Sequence, residues 1–462
     1  MSDRPEILTL GDLRASGHVY KDLRREIREN LLAALAAGRD PWSGMYGFGR
    51  TVLPQLERAL IAGHDLVLLG ERGQGKTRLL RSLVGLLDEW SPIIEGSELN
   101  EHPFEPITEQ AKARVLAEGD RLPVTWRHRS ERYVEKLATP DTSVADLIGD
   151  VDPMRVAEGR RLGDPETIHY GLVPRSNRGI VAINELPDLA ERIQVAMLNV
   201  MEERDIQIRG YVLRIPLDVL VVASANPEDY TNRGRIITPL KDRFGAEIRT
   251  HYPLELDDEV AIILQEGRLS ANVPPVIVEI LARYTRSLRL SPAINQGSGV
   301  SARFAIAGAE TVAAAALRRS TMRGEPDAVS RIVDLAAAVD VLTGKLEFES
   351  GEEGHEGAVL EHLLRMATAE AVRFHYRGLD FGPLVAALDG NTTVTTGDSV
   401  TAAEFLDTLP SLNGSRLYEL IAERLNAKND GERASAIELA LEGLFLARRI
   451  SKDSDGEETI YG

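Results

Sequence analysis

The spacing of apolar and polar residues predicts a chain that begins with amphipathic helices and continues into an α/β layer. Over residues 20–37, apolar side chains recur every three to four positions with charges on the opposite face, as in a helix, and residues 52–61 repeat this pattern. A short, continuous apolar run at 65–69 then indicates a strand that is buried on both faces. Similar runs follow at 179–183 and 219–224, with helical segments between them. This alternation predicts an α/β fold with a largely parallel sheet.

The same patterns divide the chain into four predicted segments. An N-terminal helical segment covers residues 1–46, and the α/β core covers residues 47–252. Residues 253–345 are rich in alanine and keep a helical spacing, so we expect a separate helical domain there. After a charged, glycine-containing stretch, the remainder of residues 346–462 is expected to form a helical extension. Its acidic tail, residues 451–462, is expected to fray.

Composition and charge limit the classes of function. The 462 residues include 72 acidic and 54 basic side chains, and the net charge of −18 opposes non-specific binding to nucleic acid or to an anionic membrane. The lack of cysteine excludes disulfides, thiolate metal sites and a cysteine nucleophile. No apolar run approaches the roughly 18 residues of a membrane span, and the first residues lack the pattern of a signal peptide. We therefore expect a cytoplasmic protein without a membrane partner.

The most specific motif is a glycine-rich loop directly after the first buried run. Residues 70–77 match G-x-x-x-x-G-K-[ST] between a predicted strand and a helix predicted at 78–90. In such a loop, backbone N–H groups surround the β-phosphate, the lysine contacts the β- and γ-phosphates, and the threonine hydroxyl ligates Mg²⁺. The motif therefore predicts that the chain binds ATP with Mg²⁺. The candidate residues of this site are Gly70, Gly73, Gln74, Gly75, Lys76 and Thr77.

A second candidate is the polar end of the run at 179–183, where Asn184 and Glu185 follow. A nucleotide hydrolase needs a carboxylate near the γ-phosphate to activate water, and Glu185 is the candidate for this catalytic base. The preceding position usually carries an aspartate that binds Mg²⁺ through a water molecule. Asn184 can accept a hydrogen bond from such a water but adds no negative charge, so we expect weaker binding of Mg²⁺. The alternative is an ordinary helix cap, because asparagine caps helices well.

A third candidate is Asn226, which follows the run at 219–224. An amide at the end of that strand can orient the attacking water and contact the γ-phosphate. An isolated asparagine after a strand is more often a turn former. Its position after the two earlier motifs favours the catalytic interpretation.

Taken in order, the phosphate loop, the strand ending in Asn-Glu, the asparagine after the next strand and a following arginine resemble an AAA+ ATPase. The chain resembles more narrowly the ATPase subunit of magnesium chelatase and its MoxR-type relatives. The residues that carry this narrower resemblance lie between Val144 and Glu185, including Arg175-Ser-Asn-Arg-Gly179 before the second buried run. The resemblance covers residues 47–316, and within it residues 160–172 correspond to a β-hairpin inserted into a core helix.

The resemblance implies roles for two arginines. Arg243 matches the arginine finger, which reaches the γ-phosphate of a neighbouring subunit. Arg303 matches the sensor-2 arginine, and residues 253–345 would then be the helical lid domain. A surface ion pair is the alternative for either arginine, because such pairs are common. The resemblance also implies self-association into a ring, expected to be hexameric, and a protein partner with a von Willebrand factor A-type domain.

Three functions remain as hypotheses. The first is an ATPase motor that couples hydrolysis to metal insertion or to remodelling of a partner. The alternative is a MoxR-like chaperone acting with a von Willebrand factor A-type partner. A DNA-directed transcription activator is disfavoured, because the chain is acidic and lacks the Gly-Ala-Phe-Thr-Gly-Ala loop of that class. The basic stretch at 126–132 is expected to be solvated surface rather than a nucleic-acid site.

Overall fold

The computed structural model divides the chain into two compact units, residues 1–251 and residues 252–462. Within the described residues, no helix combines the length and the apolar content that crossing a bilayer requires. The described residues are 3–152, 154, 167–202, 206–208, 211–213, 215–227, 234–295, 299–349, 351, 354–389, 392–455 and 458–462.

The first unit is built around a parallel sheet, in which the described residues form five strands. Those strands are β1 (Leu66–Leu69), β4 (Tyr133–Leu137), β7 (Gly179–Asn184), β10 (Val219–Ala225) and β11 (Ala246–Arg249). They lie in the order β11-β1-β10-β7-β4, and every neighbouring pair is parallel. All residues of β1, β7 and β10 are buried. The strands predicted from continuous apolar runs and the parallel α/β fold are therefore confirmed.

Short antiparallel ladders of described residues lie outside this sheet. They pair β2 (Trp90–Ile94) with β3 (Val124–His128), β5 (Gly149–Val151) with β6 (Ile168–Tyr170), and β8 (Ile206–Ile208) with β9 (Tyr211–Leu213). The hairpin predicted at 160–172 falls partly outside the described residues, which leave out 160–166. Its described end contains β6, whose partner is β5.

The helices of the first unit largely follow the sequence pattern. They are α1 (Leu10–Ala15), α2 (Leu23–Ala36), α3 (Val52–Ile61), α4 (Lys76–Ser82), α5 (Glu109–Glu118), α6 (Val144–Leu147), α7 (Leu172–Arg175), α8 (Glu191–Glu202) and α9 (Thr238–Arg243). Short 3₁₀ turns cover Leu83–Leu86, Gly119–Arg121, Arg129–Arg132 and Leu186–Asp188.

The helix predicted at 78–90 is shorter than expected. Helix α4 ends at Ser82, a 3₁₀ turn follows, and Trp90 already begins β2. The Ser82 hydroxyl donates to the carbonyl oxygen of Leu79 at 2.7 Å. Serine side chains that bond back to their own backbone compete with helix continuation, which is consistent with this early end.

The N-terminal helix α2 packs directly on the sheet. Its residues Leu23, Ile27 and Leu31 share one buried cluster with Leu66 and Leu68 of β1. Because these side chains are removed from water together, α2 is part of the first unit's core.

A buried ion pair joins α2 to the turn before β4. Two guanidinium nitrogens of Arg132 donate to the two carboxylate oxygens of Glu26, each at 2.7 Å, and both side chains are at most 3% exposed. The expectation that residues 126–132 form solvated surface is therefore wrong for Arg132. Its charge is buried because Glu26 compensates it, a partner that lies far away in the sequence.

The second unit is mainly helical. A segment boundary was predicted at position 346, but residues before and after it contribute to one apolar core. The members of this core lie between Ile263 and Tyr461 in the sequence. The predicted division of the chain into four segments stays a prediction. The helices are α10 (Leu256–Glu266), α11 (Pro275–Leu290), α12 (Ala302–Arg323), α13 (Ala336–Leu342), α14 (Glu356–His375), α15 (Gly382–Leu388), α16 (Ala402–Asp407), α17 (Leu417–Arg424) and α18 (Asp430–Leu446).

The expectation of a frayed tail is wrong. The tail forms β13 (Lys452–Asp455) and β14 (Glu458–Tyr461), and β14 also pairs with β12 (Val394–Gly397) in a small antiparallel sheet. Tyr461 is buried, and its hydroxyl donates to Glu442 of α18 at 2.5 Å. An acidic composition therefore does not keep this segment in solvent, because its aromatic side chain packs into the core.

Candidate functional site

The glycine-rich loop connects β1 to α4 and depends on its glycines. Gly73 and Gly75 have φ angles of 75° and 77°, which lie in the left-handed region that favours glycine. A Cβ on Gly70 would lie 1.9 Å from the Thr250 hydroxyl oxygen and 2.2 Å from the side-chain oxygen of Gln74. No side chain fits at position 70 without displacing these two groups.

Lys76 lies inside the curve of this loop. Its side chain is buried, and the ammonium donates to the carbonyl oxygens of Gly70 and, at 2.8 Å, of Glu71. These carbonyls are neutral, whereas a phosphate oxygen carries negative charge and attracts the ammonium by Coulomb interaction as well. The loop therefore holds a positive charge that an anionic ligand can recruit. Thr77 follows in the first turn of α4 and is half-buried.

The loop is fastened to the sheet by a residue that the sequence analysis missed. Thr250, which follows β11, donates its backbone N–H to Leu69 at 2.7 Å. Its hydroxyl donates to the side-chain oxygen of the buried Gln74 at 2.8 Å. Gln74 thus holds the loop in place through Thr250. The sequence offered little signal, because β11 is half-exposed and lacks a continuous apolar run.

The strands bring the other predicted residues to the same edge of the sheet. Leu69 is paired with Ala225, and the carbonyl oxygen of Ala225 accepts the backbone N–H of Gly70 at 3.1 Å. Asn226 follows directly and is buried. The carboxyl ends of neighbouring parallel strands form the crevice where ligands of α/β proteins bind. The phosphate loop and Asn226 are therefore adjacent in this crevice.

Asn184 ends the next strand, β7, and makes side-chain contacts within the sheet. Its amide nitrogen donates to the Glu135 carboxylate at 2.6 Å, and its amide oxygen accepts from the Ser224 hydroxyl at 3.0 Å. Neither contact is to a helix backbone, so these bonds do not support the interpretation of Asn184 as a helix cap. Glu185 follows with a φ of 55°, which is uncommon for a residue other than glycine. Such outliers are often found at functional sites.

Glu135 and Arg81 are two further members of this polar network that the sequence analysis missed. Glu135 belongs to β4, and its carboxylate accepts from two guanidinium nitrogens of Arg81 at 2.7 and 3.0 Å. Arg81 lies on α4, the helix that starts at Lys76. Residues 133–137 show neither a continuous apolar run nor an alternation, and nothing local indicates that Glu135 contacts Asn184.

The two predicted arginines lie in different units. Arg243 is the last residue of α9, is half-exposed, and pairs with Glu202 of the same chain. Arg303 lies in the first turn of α12 in the second unit and is exposed. Within the described residues, no cluster of three or more histidine, aspartate or glutamate side chains is arranged to hold a metal ion. The roles of all these site residues stay predictions.

Comparison with known proteins supports the expected family resemblance. The PrkA AAA domain family matches residues 129–296. The magnesium-chelatase subunit ChlI of Guillardia theta is 28% identical over 214 residues, which is 45% of this chain and 56% of that protein. The protein resembles an AAA+ ATPase of the ChlI type. The predicted resemblance is therefore confirmed. ChlI of Anabaena variabilis is 26% identical over 219 residues, covering 46% of this chain and 60% of that protein.

The ChlI-like match leaves much of both chains uncovered, since this chain spans little more than half the length of these curated relatives. Solved structures also align with this chain at low identity. A chain in a model of the complex between subunits BchI and BchD of magnesium chelatase, based on a cryo-EM reconstruction, matches at 20% identity with a TM-score of 0.36, covering 68% of this chain and 98% of that chain. A RuvB mutant of Thermotoga maritima matches at 14% identity with a TM-score of 0.37, covering 80% and 83%.

Proposed function

We propose that this protein is an ATPase that binds ATP with Mg²⁺ and hydrolyses it at the carboxyl edge of the parallel sheet. The observation that carries the proposal is the buried ammonium of Lys76 inside a loop whose glycines permit its curvature. The loop fits a phosphate chain, because its left-handed glycines let the backbone curve around an anion and the buried ammonium of Lys76 supplies a positive charge there. The similarity to ChlI supports the same assignment.

In this proposal each residue of the crevice has one role. Lys76 binds the β- and γ-phosphates, and Glu185 takes the proton of the attacking water. Asn226 orients that water from the end of β10. The hydroxyl of Thr77 and the amide oxygen of Asn184 are the groups that would hold Mg²⁺. The bound metal ion supplies positive charge next to the phosphates, which lowers the barrier to their transfer.

We also propose that subunits assemble into a ring, expected to be hexameric, in which Arg243 completes the site of the neighbouring subunit. The support is its position: it ends α9 after the sheet strand β10 and is half-exposed on the surface of the first unit. Arg303 is proposed to contact the nucleotide from the helical lid. An arginine supplied across an interface stabilises the charge that develops during phosphoryl transfer.

The cellular task we propose is coupling of hydrolysis to metal insertion or to remodelling of a protein partner. The support is the 28% identity to a magnesium-chelatase subunit over 214 residues. A chaperone acting with a von Willebrand factor A-type partner is the alternative. A pulldown with Glu185→Gln, which should retain ATP and its partners, separates the two. Recovery of a porphyrin-binding subunit supports metal insertion, and recovery of a von Willebrand factor A-type protein with a different client supports the chaperone.

The experiment that tests the ATPase proposal measures ATP affinity by calorimetry for the natural protein and for Lys76→Ala. We expect binding to the natural protein and its loss in the variant, with an unchanged circular dichroism spectrum. Lys112→Ala is the matched control, since that ammonium is half-exposed and pairs only with Glu109 of the same helix in the described contacts. Equal ATP affinity of Lys76→Ala and the natural protein would contradict the proposal.

A further inference from the structure

A glutamate of the neighbouring strand lies diagonally beside Asn184. In the register of β4 and β7, Glu135 pairs with Ala182 and Leu137 pairs with Asn184, so Glu135 and Asn184 are diagonal neighbours on one face of the sheet. Diagonal neighbours are within reach of a long side chain. The Asn184 amide donates to the Glu135 carboxylate at 2.6 Å. A negative charge is therefore present beside the position at which the usual aspartate is absent.

This contact decides which way the Asn184 amide points. A carboxylate accepts hydrogen bonds and cannot donate, so the NH₂ group of Asn184 must face Glu135. The amide oxygen then faces the opposite side, where it accepts from the Ser224 hydroxyl at 3.0 Å. Because a carbonyl oxygen has two lone pairs, one remains for a further donor. Hydrogen-bond chains polarise their members, so the charge of Glu135 makes this oxygen a stronger acceptor.

Glu135 is itself fixed by the helix of the phosphate loop. Arg81 binds both of its carboxylate oxygens and lies four residues after Thr77, on the same face of α4. The Arg81 side chain is 63% exposed, so solvent screens much of its charge, whereas that of Glu135 is 22% exposed. One network thus joins α4, β4, β7 and β10 at the edge of the sheet.

We propose that Glu135 is a positioning residue that orients and charges the Asn184 amide, so that the two side chains together replace the missing aspartate at the Mg²⁺ position. This inference rests on the proposed ATPase function. The proposal also explains the asparagine at position 184. An aspartate there would place a second carboxylate about as close to Glu135 as the Asn184 amide is, 2.6 Å, with no proton to form a hydrogen bond between them. The pair carries a single negative charge, as a lone aspartate would.

The test measures the binding of Mn²⁺, a paramagnetic substitute for Mg²⁺, by electron paramagnetic resonance. Mn²⁺ is added to the complex of the full chain with a non-hydrolysable ATP analogue, and the variants are compared with the natural protein. Glu135→Gln keeps the size and the acceptor oxygen but removes the charge. We expect it to weaken Mn²⁺ binding by roughly 10–100-fold, the range typical when an outer partner of a metal ligand is changed. The double variant Glu135→Gln with Asn184→Asp reverses the pair, and we expect it to restore Mn²⁺ affinity.

Controls separate this inference from the proposed function. Affinity for the analogue is first measured in EDTA, where Glu135→Gln should match the natural protein and Lys76→Ala should not bind. Glu118→Gln, which alters a partly exposed pair with Arg114, should leave Mn²⁺ affinity unchanged. If Glu135→Gln leaves the Mn²⁺ affinity unchanged, or if the reversed pair does not restore it, the role proposed for Glu135 is wrong. The proposed ATPase function is not affected by either result. Failure of the natural protein to bind the analogue overturns both proposals.

Discussion

Arg243 and Glu202 are joined by an ion pair within one chain: a guanidinium nitrogen of Arg243 lies 2.5 Å from a carboxylate oxygen of Glu202. The two residues end helices α9 and α8. Both side chains are about 40% exposed, and exposed ion pairs contribute only about 0–1 kcal/mol. Arg243 can therefore exchange this partner for another anion at little cost in free energy.

The first prediction tests whether Arg243 acts across an interface. Arg243→Ala should lower ATP turnover by roughly 10³-fold or more, as loss of an arginine finger does in well-studied GTPases. Glu185→Gln should also be inactive. Mixing the two proteins should partly restore turnover, because some interfaces combine an intact Glu185 with an intact Arg243. Background activity in mixtures that demonstrably co-assemble would show that Arg243 does not act in this way.

The pair itself supplies the matched control. Glu202→Gln removes the partner carboxylate but leaves Arg243 in place. We expect a change in turnover of less than about fivefold, because an exposed pair contributes no more than about 1 kcal/mol. A loss as large as that of Arg243→Ala would mean that the ion pair, rather than the free guanidinium, is what catalysis needs.

The second prediction concerns the curvature of the phosphate loop. Gly70→Ala places a methyl group against the Thr250 hydroxyl and the side chain of Gln74, so the loop must shift. We expect at least a tenfold loss of ATP affinity in calorimetry. Gly85→Ala is the control, because a Cβ there meets nothing within 4 Å. Equal affinities of the two variants would contradict the claim that position 70 must be glycine.

The third prediction concerns the buried pair of Glu26 and Arg132. Glu26→Gln leaves the Arg132 charge buried and uncompensated, which should lower the free energy of unfolding by about 3–5 kcal/mol in urea titrations. Adding Arg132→Met removes that charge, and the glutamine still accepts the backbone N–H of Asp88 that Glu26 accepts at 2.7 Å. The double variant should therefore be more stable than Glu26→Gln. If the double variant is less stable than Glu26→Gln, the uncompensated charge of Arg132 is not the cause of the loss of stability in Glu26→Gln.

The fourth prediction is a loss of stability in mild acid that depends on His102. Burial, and then the charge of Arg178, lower the pKa of His102 to about 2. The unfolded chain takes up this proton below about pH 6.5, whereas the folded protein does not, so the free energy of unfolding falls as the pH drops below that value. The slope from one such group is at most about 1.4 kcal/mol per pH unit.

Urea titrations between pH 7.5 and 5.5 measure this slope. The Nδ1 atom of His102 accepts the backbone N–H of Phe104 at 3.0 Å, and an asparagine side chain can accept the same bond. His102→Asn should therefore reduce the slope. The exposed His362→Asn serves as a control and should leave it unchanged. An identical slope in His102→Asn and the natural protein would rule out His102 as its source.

Much of the fold could be predicted because β1, β7 and β10 are buried on both faces and read as continuous apolar runs. The edge strand β4 is half-exposed, and its residues 133–137 show neither a continuous apolar run nor an alternation of apolar and polar residues. The tail strands were missed for a related reason. Tyr461 of the tail packs into the core of the second unit, which nothing in the acidic tail itself indicates.

The candidate site was predictable only where its residues follow one another in the sequence. The phosphate loop and the Asn184-Glu185 pair are local motifs on predicted strands. Glu135 and Thr250 act through partners that the sheet brings together across the sequence, so their roles depend on the strand order. Arg132 shows the same limit: its basic surroundings suggested solvent, and its buried partner Glu26 lies 106 residues earlier in the sequence.

The strand order has a consequence for how the chain folds. Strand β1 pairs with β10 and β11, which begin at Val219 and Ala246, long after β1 ends at Leu69. During synthesis the apolar residues of β1 leave the ribosome well before either partner, and contacts between distant segments form slowly because a long loop must close first. The newly made N-terminal part therefore exposes an unpaired apolar strand, a species prone to aggregation. Because Thr250 binds Gln74 of the phosphate loop, we expect a nascent chain to bind nucleotide only after the first unit has been completed.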